Sequence, residues 1–369
     1  MRTEESRDED LGTSDLCAEG EALQASGNKS MTRQSLRVLS GLPRFDGVNT
    51  DRYVVQADYI REDDTFTNGM RLFPKARGYG IVLMNSSTRG LLGLCLMRWV
   101  WPFHRWRLVS LDIHLNEPIG WKQRIATLLK RVLLKKVDLH ILFFNDLSGY
   151  ERWFGITSAK SKFIPFKVNS WETISHDETA NREGEYVFCG GRSLRDLETF
   201  KRAMAQVPFP GLLLYQQDSS FMALHGTLVD LAGLSLNVKP ERHDGNNDTW
   251  IDYIRRAKIV VIPAFANSIY APGLSLYLLA MGLRRCVIIS EGPQTRGLLD
   301  KEAVIVPPED PEALAQAIRK VWEDSVFRKQ VADAGRKYAE LCAGEERMLA
   351  DIANICGDFL NDKTTDGAV

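Results

Sequence analysis

Short apolar runs alternate with stretches of helical spacing along most of this chain, and the alternation stops once and then starts again. Between residues 36 and 170 the strand-like runs are RYVVQADYI, GYGIVLMNS, WRLVSLDIH, DLHILFFND and KFIPFKV. Between them lie TRGLLGLCLMRWV and WKQRIATLLKRVLLKKVD, whose apolar positions fall at helical intervals. β-Branched and aromatic residues suit a pleated strand, and strands that alternate with helices build a parallel sheet covered by helices. The polar stretch SWETISHDETANREGE, residues 170–185, breaks the rhythm and reads as an interdomain connection. Strand-like YVFCGG, GLLLYQQ, LSLNVK, KIVVIPAF, RRCVIIS and EAVIVPP then alternate with helical RDLETFKRAMAQV, DTWIDYIRRA, GLSLYLLAMGL and DPEALAQAIRKVWED.

Two successive α/β domains are the economical reading, since 369 residues exceed what one compact core usually holds. The expected division is a disordered tail over 1–34, a first domain over 35–170, a second over 171–343, and a final helix over 344–362. The tail has no aromatic, valine or isoleucine residue and cannot bury enough surface to offset its ordering. EERMLADIANICGDFL forms the last helix and is expected to pack back toward the first domain. In open parallel sheets the ligand edge lies at the carboxyl ends of the strands, so the cleft between the domains is the place to look for a site.

A net charge of -1 excludes the broad basic excess of a nucleic-acid binder. The six cysteines, Cys17, Cys95, Cys189, Cys286, Cys342 and Cys356, form no C-x-x-C pair, which fits a reduced, cytoplasmic protein. No run of 18 or more apolar residues appears: RGLLGLCLMRWVWPF is interrupted by Arg98 and closed by Pro102.

Several residues have the chemistry of an anion site. Gly190 and Gly191 follow a predicted strand and let the backbone approach a ligand, while Arg192 and Arg195 offer charge. The turn at Pro272, Gly273 and Leu274 opens a helix whose first amides, those of Leu274 and Ser275, are free to hold phosphate oxygens. Asp112 and His114 close the strand in SLDIHLNEP, where a carboxylate or imidazole can orient a sugar or a hydroxyl; Asn145 and Asp146 close the next. Each has a plainer reading as a tight turn, a cap or a solvated charge.

Three of these segments, in order over roughly 186–340, resemble the C-terminal domain of the GT-B glycosyltransferases, in particular the large retaining family 4. YVFCGGRSLRDLETFKRAM is similar to that family's strand, glycine turn, arginine and helix. AKIVVIPAFANSIYAPGLSLYLLAMGLRRCVIISEG is similar to its donor-binding core, and VIVPPEDPEALAQAIRKVWED to its closing strand and helix. The first half matches loosely. The resemblance implies an α/β GT-B fold: two Rossmann-like domains facing a cleft. It implies a nucleotide-sugar donor as substrate, no cofactor, no metal, and transfer with retention to a glycan, glycolipid or other acceptor in polysaccharide or glycolipid synthesis.

One departure stands out. Family members carry two glutamates eight positions apart, one near the donor sugar and one on the ribose. Aligned on Ala280 and Met281 they fall at Ala271 and Leu279; aligned on Gly273 they fall at Tyr270 and Leu278. No Asp or Glu occurs from Tyr253 to Ser290. Losing a ribose carboxylate costs on the order of 1.5–3 kcal/mol of binding, which weakens a donor site without forbidding it. Glu291, just beyond, is either the replacement for the ribose contact or a loop carboxylate in solvent. The alternative is a relative that has lost catalysis and keeps a nucleotide or partner surface; a GT-B epimerase fits the motifs less well.

The helical stretch at 121–138 carries six cations, from Lys122 to Lys136, and no acid before Asp138. Ile125, Leu128, Leu129, Val132, Leu133 and Val137 form its apolar positions, and aromatic RWVWPFHRW precedes it. One reading packs that apolar stripe on the sheet beneath. The other lays it on an anionic membrane at the inner face, where a lipid-linked acceptor would be met.

Overall fold

The computed structural model describes residues 33–61, 63–177, 184–216, 222 and 225–365. The expected tail, apart from its last two residues, and residues 178–183 of the expected interdomain connection lie outside these. The first sheet contains β1 (Gln34–Ser40), β2 (Tyr53–Tyr59), β3 (Ile81–Asn85), β4 (Arg107–Leu111), β5 (Leu139–Leu142) and β6 (Ser161–Phe163). Its order is β2-β1-β3-β4-β5-β6, and every pairing is parallel. The second holds β7 (Tyr186–Gly190), β8 (Gly211–Gln216), β9 (Val238–His243), β10 (Ala257–Ile262), β11 (Cys286–Ser290) and β12 (Val304–Val306). Its order is β12-β11-β10-β7-β8-β9, again all parallel. Strand order reverses at β1/β3 and at β7/β10, and such switch points open a crevice at the carboxyl edge.

Helices cover both faces. In the first half they are α1 (Phe66–Lys75), α2 (Thr88–Val100), α3 (Gly120–Leu134), α4 (Ser148–Phe154) and the single turn α5 (Trp171–Ile174). The second half adds α6 (Leu197–Met204), α7 (Asn247–Arg255), α8 (Leu274–Gly282), α9 (Pro311–Glu323), α10 (Ser325–Cys342) and α11 (Glu345–Thr365). Caps set several boundaries: Asp196 accepts the Thr199 amide at 3.0 Å to start α6, and Asp310 accepts that of Ala313 at 2.8 Å ahead of Pro311 in α9.

Each sheet buries an apolar layer on both faces. Leu108, Val82 and Leu142 meet α1, α2 and α4 on one side of the first sheet. On the other, Val38, Val55 and Ile81 meet Met348, Leu349, Ile352 and Cys356 of α11, so the last helix of the chain closes the core of the first sheet. Asp358 fixes it there, 2.5 Å from the Arg52 guanidinium and accepting the Tyr53 hydroxyl at 2.8 Å. In the second sheet Phe188, Val260 and Val287 pack on α8, while Val187, Val261 and Ile288 pack under α6 and α9.

Some elements depart from the sequence pattern. Neither β1 nor α1 nor the long α10 has a counterpart in it. The predicted strand LSLNVK shares only its last two residues with β9, which runs on through Pro240 to His243. β9 is the edge of its sheet, where a proline removes no ladder bond and exposed side chains blur the apolar signal.

Candidate active site

The carboxyl edges of the two sheets enclose a cleft of about 320 Å³. Asp112 and His114 beyond β4 and Phe143 beyond β5 line it from the first sheet. Gly191, Arg192, Ser193 and Arg195 beyond β7, Tyr215 and Gln216 of β8, His243 of β9, and the segment from Tyr270 into α8 line it from the second. Asp112 is the one carboxylate among these lining residues, against two arginines and two histidines, so the cleft suits an anion.

Arg195 is the centre of this arrangement. It is buried, with Nε donating to the Gly190 carbonyl at 3.0 Å and a terminal nitrogen to that of Ser193 at 2.8 Å. No carboxylate pairs with it among the described residues. Burial pulls its guanidinium down to about 10, which leaves it charged at neutral pH. A buried charge held by carbonyl dipoles alone is costly and becomes favourable when an anion completes it. Two glycines make the room. Gly191 at φ +104° and Gly273 at φ +90° adopt a backbone that other residues resist, and a Cβ on either would meet the Arg195 terminal nitrogen at 2.8 or 3.2 Å.

Gly273 also caps α8. Leu276 and Tyr277 donate to its carbonyl at 3.0 and 2.9 Å, while the amides of Leu274 and Ser275 have no acceptor among the described residues. These are the orphan donors of a helix N-terminus, and they open on the same cleft as Arg195.

Across the cleft His114 Nε2 lies 3.0 Å from the Asp112 carboxylate, and its ring stacks on Tyr270 with centroids 5.1 Å apart. Asp112 has φ +49°, a left-handed backbone that costs on the order of 1–3 kcal/mol for such a residue and turns the chain sharply at the end of β4. Half of the His114 side chain is accessible, and the residue lines the cleft. Withdrawal from bulk water pulls its pKa down; the hydrogen bond and charge of Asp112 outweigh that, and the net direction is upward. Burial raises the Tyr270 phenol, which stays neutral.

The cleft thus gathers most of the residues singled out in the sequence: Asp112, His114, Gly191, Arg192, Arg195, Gly273, Leu274 and Ser275 line it, and Gly190 accepts from Arg195 just behind. Asn145, Asp146 and Glu291 are not among its lining residues. The Glu291 carboxylate takes Arg296 at 3.0 Å, and Arg296 reaches on to Asp146 of the first sheet at 3.0 Å. Asn145 likewise donates to the Gly297 carbonyl at 3.3 Å. The strand end after β5 therefore ties the domains together away from the cleft. Of the four glutamate positions, Tyr270 and Ala271 line the cleft, whereas Leu278 and Leu279 are buried in the core of the second sheet.

Gln216, His243, Trp250 and Tyr270 line the cleft without having been singled out as site residues. Gln216 and His243 each end a strand, the signal that had marked Asp112. The boundary of β9 had to be placed correctly before His243 carried it.

Two six-stranded parallel sheets facing each other across such a cleft define the GT-B fold. No protein-family model and no curated protein sequence matches the chain. Among solved structures it is similar to Anabaena HepE in complex with UDP, at 14% identity over 88% of this chain and 100% of that one, with a TM-score of 0.61. Sucrose-phosphate synthase from Thermosynechococcus elongatus matches at 17% identity over 89% of each chain, TM-score 0.61. The UDP-forming α,α-trehalose-phosphate synthase of Burkholderia vietnamiensis matches at 12% identity over 79% of this chain and 75% of its own, TM-score 0.57. At such identities the likeness is one of fold.

Proposed function

We propose that this protein transfers a sugar, with retention and without a metal, from a nucleotide-sugar donor to a glycan or lipid-linked acceptor at the cytoplasmic side. The observation that carries the reading is Arg195: a buried guanidinium that no carboxylate pairs with among the described residues, beside two amides of α8 that have no acceptor among them. A diphosphate is the anion that fits both at once. Structures of HepE hold UDP, and UDP-glucose, in the same fold.

In this reaction the bond between the anomeric carbon and the diphosphate oxygen breaks as the acceptor hydroxyl attacks from the same face. The hydroxyl proton passes to the leaving diphosphate. Arg195, Arg192 and the amides of Leu274 and Ser275 meet the charge that develops there, which is where catalysis in such a step resides. His114, held by Asp112 and Tyr270, orients the donor sugar or the acceptor hydroxyl.

Pure protein is incubated with UDP-, GDP-, ADP- and dTDP-sugars, following thermal shift and nucleotide release. One donor class should stabilise the protein and release its nucleotide. Absence of any shift across the panel overturns the reading. Binding without transfer or hydrolysis establishes the second one, a nucleotide-binding module that has lost catalysis, which the absence of acid at Tyr270, Ala271, Leu278 and Leu279 favours.

A further inference from the structure

α3 carries its apolar stripe on the wrong side for a core helix. Thr127, Leu133 and Leu134 face the sheet, whereas Ile125, Leu128, Leu129 and Val132 are exposed, the two central leucines by 62% and 63%. At 3.6 residues per turn, positions 125, 128, 129 and 132 share one face, opposite Thr127 and Leu134. The sheet-packing reading of that stripe thus holds for Leu133 and Val137 and fails for the other four.

The exposed face continues onto the last turn of α2 and the chain between α2 and β4. Trp99 donates to the Val132 carbonyl at 3.4 Å, joining the two, and Trp101 and Phe103 stand out beside it, Phe103 by 84%. Ile119 and Trp121 extend it along the start of α3, which leaves the carboxyl edge of the sheet soon after Asp112 and His114. One end of the apolar face thus lies on the cleft side of the molecule.

Charge selects the occupant. From Thr65 to Val137 the sequence has thirteen Lys and Arg but only Asp112 and Glu117 as acids, although the chain as a whole is near neutral. Lys136 and Lys122 lie over the rings of Trp99 and Trp121, with their ammonium groups 4.6 and 5.6 Å from the centroids. Two copies paired through this face would bring like charges together with few acids to answer them. We infer that the face formed by α3 and residues 99–103 docks on an anionic lipid bilayer, its leucines and aromatic rings entering the headgroup region and its cations meeting lipid phosphates. This holds whether or not the cleft binds a nucleotide sugar.

Flotation of the full chain with vesicles of phosphatidylcholine, with and without phosphatidylglycerol, tests it. Binding is expected with the anionic vesicles, weakening as salt screens the charges. The double variant Leu128→Ser with Leu129→Ser, and separately Phe103→Ser, should reduce vesicle binding by about tenfold or more, with circular dichroism unchanged because these side chains are already exposed. No flotation with anionic vesicles overturns the inference, as does flotation that the variants leave intact. A dimer in sedimentation that the double leucine variant dissolves also overturns it, because a second copy would then be the occupant.

Discussion

The ring of His114, from the first sheet, stacks on that of Tyr270, from the second, with planes 26° apart. Each ring thus helps to place the other across the cleft, and Asp112 sets the direction of the imidazole from behind. Tyr270 stands at one of the positions where a glutamate was expected.

If this stack orients substrate, Tyr270→Phe should keep most of the activity, whereas Tyr270→Ala and His114→Ala should lower kcat by about a hundredfold with a smaller change in donor KM. Steady-state kinetics of the three variants on the active donor decide the matter. Equal loss in Tyr270→Phe and Tyr270→Ala would move the role from the ring to the hydroxyl.

The upward pKa of His114 has a signature in stability. A raised folded-state pKa means that the proton favours the folded protein. That increment is complete below the unfolded value of about 6.5 and is lost as pH rises from there through the folded value. Urea unfolding of wild type and Asp112→Asn across this window should show the slope in the first and a smaller or reversed one in the second. Identical slopes would remove Asp112 as its source.

Arg195→Lys keeps a charge but loses the planar fork, and should weaken nucleoside diphosphate binding by about 1.5–3 kcal/mol in titration calorimetry. Arg192→Ala, at an exposed position, should cost less. The reverse order would shift the diphosphate site outward to Arg192.

Leu279→Glu, which restores a family acid in sequence, should destabilise the fold by several kcal/mol instead of tightening the donor, because Leu279 is buried in a hydrophobic cluster. Denaturant midpoints of the variant test this; a fully stable protein with improved donor affinity would show that the cleft extends to α8's buried face.

Glu291→Gln should leave donor affinity within about twofold, since the carboxylate pairs with Arg296 outside the cleft. Arg296→Ala should in turn cost no more than about 1 kcal/mol of stability, as its own side chain is half exposed. A clear rise in the donor dissociation constant on Glu291→Gln would return that residue to the ribose.

The sequence by itself determined the two α/β halves, because alternation of strand and helix is a local property repeated along the chain. It also marked Asp112, His114, Arg195 and Gly273, since ligand edges follow strand ends and helix starts. It could not place β1 and β9, whose sequences QSLRVLS and VKPERH give little period. Tertiary structure alone decided that Arg195 is buried with no carboxylate paired to it among the described residues, that Glu291 pairs with Arg296, and that Tyr270 reaches across to His114. It also decided which side of α3 meets the sheet. Periodicity reveals that a helix has an apolar face; what that face packs against depends on how neighbouring elements turn the helix, and here they turn Ile125, Leu128, Leu129 and Val132 to the outside.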